Sequence, residues 1–208
     1  MMPRPLCIIS DVHGTALSLF ALIAKVRAKY PDAQPYLLGD LIDRGPRSKQ
    51  VVDWAMKENV PTCLGNHEHL CVDHHFNQIK GNARSSYDYG TWQRNGAIQT
   101  LESFGGKIPA RVIKWMNNLP LYIIPPEYPE LLLSHTGWGL DYTPFDAVWT
   151  RSFSFPDDGY FRVLGHTAMK QVVIRDKYAC IDTGCAYGGK LSALVWPSKE
   201  VFTQDNID

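Results

Sequence analysis

An excess of charge of either sign is missing from this chain. Its 208 residues carry 21 Lys and Arg against 21 Asp and Glu, a formal net charge of zero. No broad field therefore draws it to a nucleic acid polymer or an anionic membrane, and any phosphate recognition has to be local. Long apolar runs are missing too. The run at Leu6–Ile9 is too short for a signal-peptide core and far too short to span a bilayer, which predicts a soluble, cytoplasmic protein. There is no Asn-x-Ser/Thr acceptor, and the cysteines (Cys7, Cys63, Cys71, Cys180, Cys185) form no CxxC pair, so reduced and mostly buried thiols are expected. None has an Arg six positions on, which removes a Cys-nucleophile loop. HEHLC (67–71) lacks the second His of HExxH. GCAYGGKL (184–191) ends in Leu191 where a phosphate loop needs Ser or Thr, and a strand-like run follows instead of a helix.

What is present reads as one globular domain over 1–208, since a single core is the default at this length. The first third alternates apolar runs with amphipathic ones: LCIIS (6–10), a helical stretch 15–30, YLLG (36–39), a second helical stretch 48–58, then PTCLG (61–65). That order predicts βαβαβ, with Thr15 and Ser48 as N-caps and Pro31 and Pro61 as stops. From His67 to Leu119 apolar residues recur at helical spacing. Strand-like runs return at 131–135, 162–166, 172–175, 178–184 and 191–196, and predict a mostly antiparallel second half. His74 and His75 read as a solvated helix face, and Trp92, Trp115 and Trp138 as core or pocket wall. Substrate choice is assigned to loops around 73–110 and 138–160.

Nearly every strand-like run ends in residues that bind metals. LCIIS leads to Asp11 and His13, YLLG to Asp40, PTCLG to Asn66 and His67, LLLS to His135 and RVLG to His166. Open α/β sheets build sites at the carboxyl ends of their strands, so these residues can meet in one crevice. Mixed carboxylate, imidazole and amide donors suit Mn, Fe or Zn. Two such ions, bridged by a carboxylate such as Asp40, would make hydroxide available near neutral pH for in-line attack on phosphorus. Arg44 and Arg151 offer planar donors for phosphoryl oxygens. His67 can protonate the leaving oxygen, with Asp43 orienting its ring.

SDVHG, GDLIDRGP, GNHE, His135 and GHT together resemble the calcineurin-like metallophosphoesterases and, within them, the phosphoprotein phosphatases. The similarity runs from about Asp11 to Trp196. The resemblance implies an α/β (α+β) fold, a sandwich of two mixed β-sheets flanked by helices. It implies that Asp11, His13 and Asp40 bind one metal, that Asp40, Asn66, His135 and His166 bind the second, and that Asn66 also faces the substrate phosphate. Ser10 departs from the family's usual Gly, and Thr136 from its Gly or Ala. Glu68 is left outside the site. Within the family the chain looks most like small bacterial and phage serine/threonine phosphatases. Expected partners are therefore phosphorylated proteins or peptides, hydrolysed by a hydroxide bridging two metal ions, most readily Mn. The alternative is a symmetrical bis(5'-nucleosyl)-tetraphosphatase, because DTGCAYGG resembles that group's C-terminal segment. That group commonly lacks the second Asp of GDxxDRG and reads GNHD, whereas Asp43 and Glu68 are present here.

Overall fold

The computed structural model of the chain describes residues 3–80, 89–137 and 146–208. Trp138, and the parts of the expected substrate loops at 81–88 and 138–145, lie outside the described residues. The elements in order are β1 (Leu6–Ile9), α1 (Ala16–Lys29), β2 (Gln34–Leu37), α2 (Ser48–Lys57), α3 (Asn66–Lys80), α4 (Tyr89–Arg94), α5 (Ala97–Ser103), α6 (Ala110–Asn117), β3 (Tyr122–Ile123), β4 (Leu131–Ser134), α7 (Asp146–Trp149), β5 (Phe161–Leu164), β6 (Val173–Ile174), β7 (Tyr178–Cys180), β8 (Lys190–Trp196) and β9 (Glu200–Asp205).

Two mixed sheets result. The first has the order β2-β1-β8-β9, with β1 parallel to β2 and antiparallel to β8. The second has the order β3-β4-β5-β7-β6. Its three inner strands run parallel and only its edges are antiparallel, which corrects the mostly antiparallel expectation. The reason lies in the connections. Residues 135–160 between β4 and β5 are long enough for the crossover that parallel pairing requires, and LLLS is buried at every position, as doubly covered strands are.

PTCLG is also corrected. It forms no strand, only a bridge from Thr62 to Leu37, before the chain turns into α3 at Asn66. Ser48 is the first residue of α2 rather than its cap, and its Oγ is spent on the Asp43 N–H at 3.2 Å. Thr15 does cap α1 by position, but its hydroxyl donates back to the Val12 carbonyl at 2.5 Å.

Alternation along β1 divides the core. Leu6 and Ile8 face the second sheet, packing with Leu131, Leu133, Phe161 and Val163, while Cys7 and Ile9 face the helices. α1 answers with Leu19, Leu22, Ile23 and Val26, the i, i+3, i+4, i+7 stripe that a helix buries on one side. Each fully buried side chain of this size contributes about 1.5 to 3 kcal/mol. The two layers hold the carboxyl ends of β1, β2, β4 and β5 at one edge. All five cysteines are free and buried, and no helix among the described residues is long and apolar enough to cross a membrane.

Candidate active site

The turns that leave these strand ends are strained. Among the described residues, the non-glycine positions with positive φ are Asp11, His13, Asp40, Asp43, Arg44, Asn59, His166 and Lys199. Only Asn59 and Lys199 fall outside the predicted site. Each such residue costs about 1 to 3 kcal/mol unless its surroundings impose it, and sites are where folds impose it. Glycine spacing serves the same end. A Cβ on Gly65 would stand 2.3 Å from the Asp40 carboxylate, and one on Gly165 would stand 2.2 Å from that of Asp11. The motif glycines are therefore close approaches of backbone to ligand-type oxygens.

The predicted residues converge in two clusters that share Asp40. The ligand atoms of His13, Asp40 and His67 lie within 4.8 Å of one another, as do those of Asp40, His135 and His166, and all five are buried. Their orientation is fixed from behind. His13 Nδ1–H donates to the Ile42 carbonyl at 2.9 Å and His135 Nδ1–H to the Leu38 carbonyl at 2.8 Å, which leaves each Nε2 lone pair facing the cleft, as a metal ligand needs. Asn66 Oδ1 stands 2.9 Å from both His135 Nε2 and His166 Nδ1. His166 closes the far side, with Nε2 toward the Trp149 carbonyl at 3.3 Å.

Asp11 lies beside these clusters, near enough for its charge to raise the Asp40 carboxyl. Its Oδ2 accepts from Ser10 Oγ and, at 3.0 Å, from the His166 N–H. His67, expected as an acid, has its Nε2 buried without a hydrogen-bond partner, 3.9 Å from Asp40 Oδ2. Its other nitrogen meets Asp43 Oδ2 at 2.7 Å.

The donor set fits divalent cations. Burial pushes the carboxyls of Asp11 and Asp40 well above the ordinary range, with Asp182 adding to Asp11 and Asp11 adding to Asp40. Burial likewise holds His13, His67 and His135 well below theirs and His166 at about 4. A neutral His135 whose Nδ1–H is committed to Leu38 turns a lone pair onto the Asn66 oxygen, a contact that a cation between them resolves. The Arg44 guanidinium lies against His13 Nε2, so that nitrogen already faces a positive charge.

Several supporting residues carry no spacing signal. Glu68, excluded on sequence grounds, is fully buried. Its carboxylate accepts from the N–H groups of Asp40 and Leu41 at 2.8 Å, Gly65 at 3.1 Å and Ile42 at 3.3 Å. It shapes the loop that carries Asp40, and its adjacency to His67 in GNHE was the available clue. Asp43 is held by Trp92 Nε1 at 3.0 Å and Thr100 Oγ1 at 2.7 Å, and burial pushes its carboxyl up to about 7. Trp92 is buried in the core, one of the two places expected for it. His74 is half buried, 5.1 Å from the Trp92 ring, rather than on a solvated face. Thr136 ties the strand end to α7 through the Ala147 carbonyl at 2.6 Å. Arg151 lies at the edge, exposed, donating to the His166 carbonyl at 3.1 Å.

Comparison with known proteins gives this arrangement a family. A bis(5'-nucleosyl)-tetraphosphatase, symmetrical, of Vibrio parahaemolyticus is 22% identical over 97% of this chain and 98% of its own. An asymmetrical bis(5'-nucleosyl)-tetraphosphatase of Anoxybacillus flavithermus is 27% identical over 93% and 91%. Among solved structures, a metallophosphoesterase of Sphaerobacter thermophilus has the same fold, with a TM-score of 0.59 at 16% identity over 99% of this chain and 88% of its own. The calcineurin-like phosphoesterase profile matches residues 4–194. The chain thus belongs to the calcineurin-like phosphoesterase family and is a metallophosphoesterase hydrolase.

Proposed function

We propose that this protein hydrolyses dinucleoside polyphosphates such as diadenosine tetraphosphate, with two divalent metal ions, Mn foremost. The observation that carries this reading is the shared activity in the names of relatives aligned over nine-tenths or more of both chains. Asp11, His13 and Asp40 would hold one ion, and Asp40, Asn66, His135 and His166 the other. The chemistry such ions supply is acidification of water and neutralisation of phosphoryl charge.

The rest falls to the chain's own groups. Arg44 and Arg151 grip phosphoryl oxygens as permanently charged, planar donors. Asp43 holds the His67 ring so that Nε2 faces the cleft, and a polyanionic substrate beside it favours the protonated ring. Water adds to phosphorus and releases one proton to solvent, the P–O bond to the departing phosphate breaks, and His67 supplies that leaving oxygen's proton.

Hydrolysis of protein phosphoserine or phosphothreonine is the second reading. The buried Asp43–His67 pair favours it, because an alkoxide leaves far less readily than a phosphate and needs an acid more. The deciding experiment is kcat/KM of the manganese-loaded protein on diadenosine tetraphosphate and on a phosphothreonine peptide, side by side. Preference for the dinucleotide supports the proposal, and preference for the peptide reverses it. Products then define the bond cut: two ADP for central cleavage, ATP and AMP for terminal cleavage.

A further inference from the structure

Tyr187 is the most exposed of the large hydrophobic side chains among the described residues, at 68%. It is not on a loose segment. It ends a 3-10 turn (Cys185–Tyr187) in the link between β7 of one sheet and β8 of the other, with Gly184 and Gly188 at φ of 70° and 86° reversing the chain on either side. The turn is pinned from several directions. Asp182 Oδ1 accepts the Gly184 N–H at 2.8 Å, and the Gly184 carbonyl accepts from Tyr187 at 2.8 Å and from Gly189 at 2.9 Å. The Cys185 carbonyl accepts from the Asn206 side chain at 3.3 Å. A bulky aromatic held this firmly in solvent contributes little to the core.

It faces the cleft. The Arg44 guanidinium carbon lies 4.6 Å from the Tyr187 ring centroid, and the same guanidinium reaches His13 at the site floor. One residue thus connects the phosphate-binding floor to an aromatic rim. A nucleoside polyphosphate whose phosphates lie along Arg44 would carry its base to that rim, where the ring offers a stacking face that every base can use.

We propose that Tyr187 is a nucleobase-stacking platform that selects nucleoside polyphosphates over phosphate chains bearing no base. The proposal rests on the dinucleotide reading above and adds a residue that decides specificity.

Two measurements on the manganese-loaded full chain test it separately from that reading. The first is the ratio of kcat/KM for diadenosine tetraphosphate to that for linear inorganic tetraphosphate. The ratio should fall about ten-fold in Tyr187→Ala, the scale of one lost base–aromatic stack. The loss should lie in KM, and Tyr187→Trp should restore it. An unchanged ratio overturns the platform, including the case in which both substrates lose equally because the ring merely steadies Arg44. The second is the preference in Kd for ADP over pyrophosphate, read by calorimetry, which needs no turnover. It should shrink to the same degree in Tyr187→Ala and return in Tyr187→Trp. A preference that moves with residue 187 in an enzyme that does not cleave the dinucleotide would sink the dinucleotide reading and keep the platform. Cleavage of the dinucleotide with neither quantity moving would do the reverse.

Discussion

Glu68 shows how one side chain can matter without touching substrate. Its buried carboxylate collects four backbone N–H groups around Asp40. Burial pushes its pKa up to about 7 against the pull of those bonds. Glu68→Gln keeps the size but turns an NH2 toward N–H donors, leaving buried donors unmet. A cost of about 2 to 3 kcal/mol is expected, a fall of roughly 5 to 10 °C in Tm for a chain of this length. A Tm unchanged in calorimetry would show that the loop holds without it. His67→Asn tests the acid. Turnover of a phosphothreonine peptide should fall about 10²-fold or more, turnover of the dinucleotide less, because phosphate is the better leaving group. Equal activity of variant and parent would remove His67 from proton transfer, and metal analysis of both would separate that role from ligation. Gly165→Ala is expected to push the Asp11 carboxylate and Ser10 Oγ aside, since its Cβ would stand 1.8 Å from that hydroxyl. Activity should drop several-fold or more, and full activity would mean that the backbone yields there.

Among the elements, β5 shows a conflict resolved by a neighbouring turn. Phe161 and Val163 face the core between the sheets, so Arg162 points the other way, yet it is only 1% exposed. Asp158 closes on its guanidinium with both oxygens, and the Phe155 ring lies 5.2 Å away. Asp158→Ala would leave that cation buried and unpaired, at a cost of about 2 kcal/mol or more. The pair also sets an acid limit. Arg162 holds the Asp158 carboxyl below its ordinary value, so its contribution is full above the unfolded pKa, about 3.9, and disappears as pH falls through the lower folded value. The Tm gap between parent and Asp158→Asn should narrow below about pH 4, and a constant gap down to pH 2 would show that the pair does not titrate with folding.

For the whole molecule, the site sits where two sheets end. Asp11 and Asp40 follow strands of the first sheet, His135 and His166 strands of the second. Divalent ions bound between them would link both layers, so Mn²⁺ at 100 times its Kd should add about 2.7 kcal/mol of stability. Calorimetry with Mn²⁺ and with chelator checks this, and coincident Tm values would argue against ligation across the sheets. The sequence by itself pointed to His13, Asp40, His67, His135 and His166, which the fold brings together, because most apolar runs ending in such residues are strands whose ends share one edge of a sandwich. It also determined the helical faces, through the 3.6-residue period of α1. What only the tertiary structure decided is whatever depends on contacts between distant segments. The parallel inner strands follow from long crossovers, not from any local pattern. The failure of PTCLG to extend the sheet follows from how soon the chain must enter α3. The grip of Trp92 and Thr100 on Asp43, and of Tyr187 on Arg44, joins residues 49, 57 and 143 positions apart, and no periodicity spans such distances.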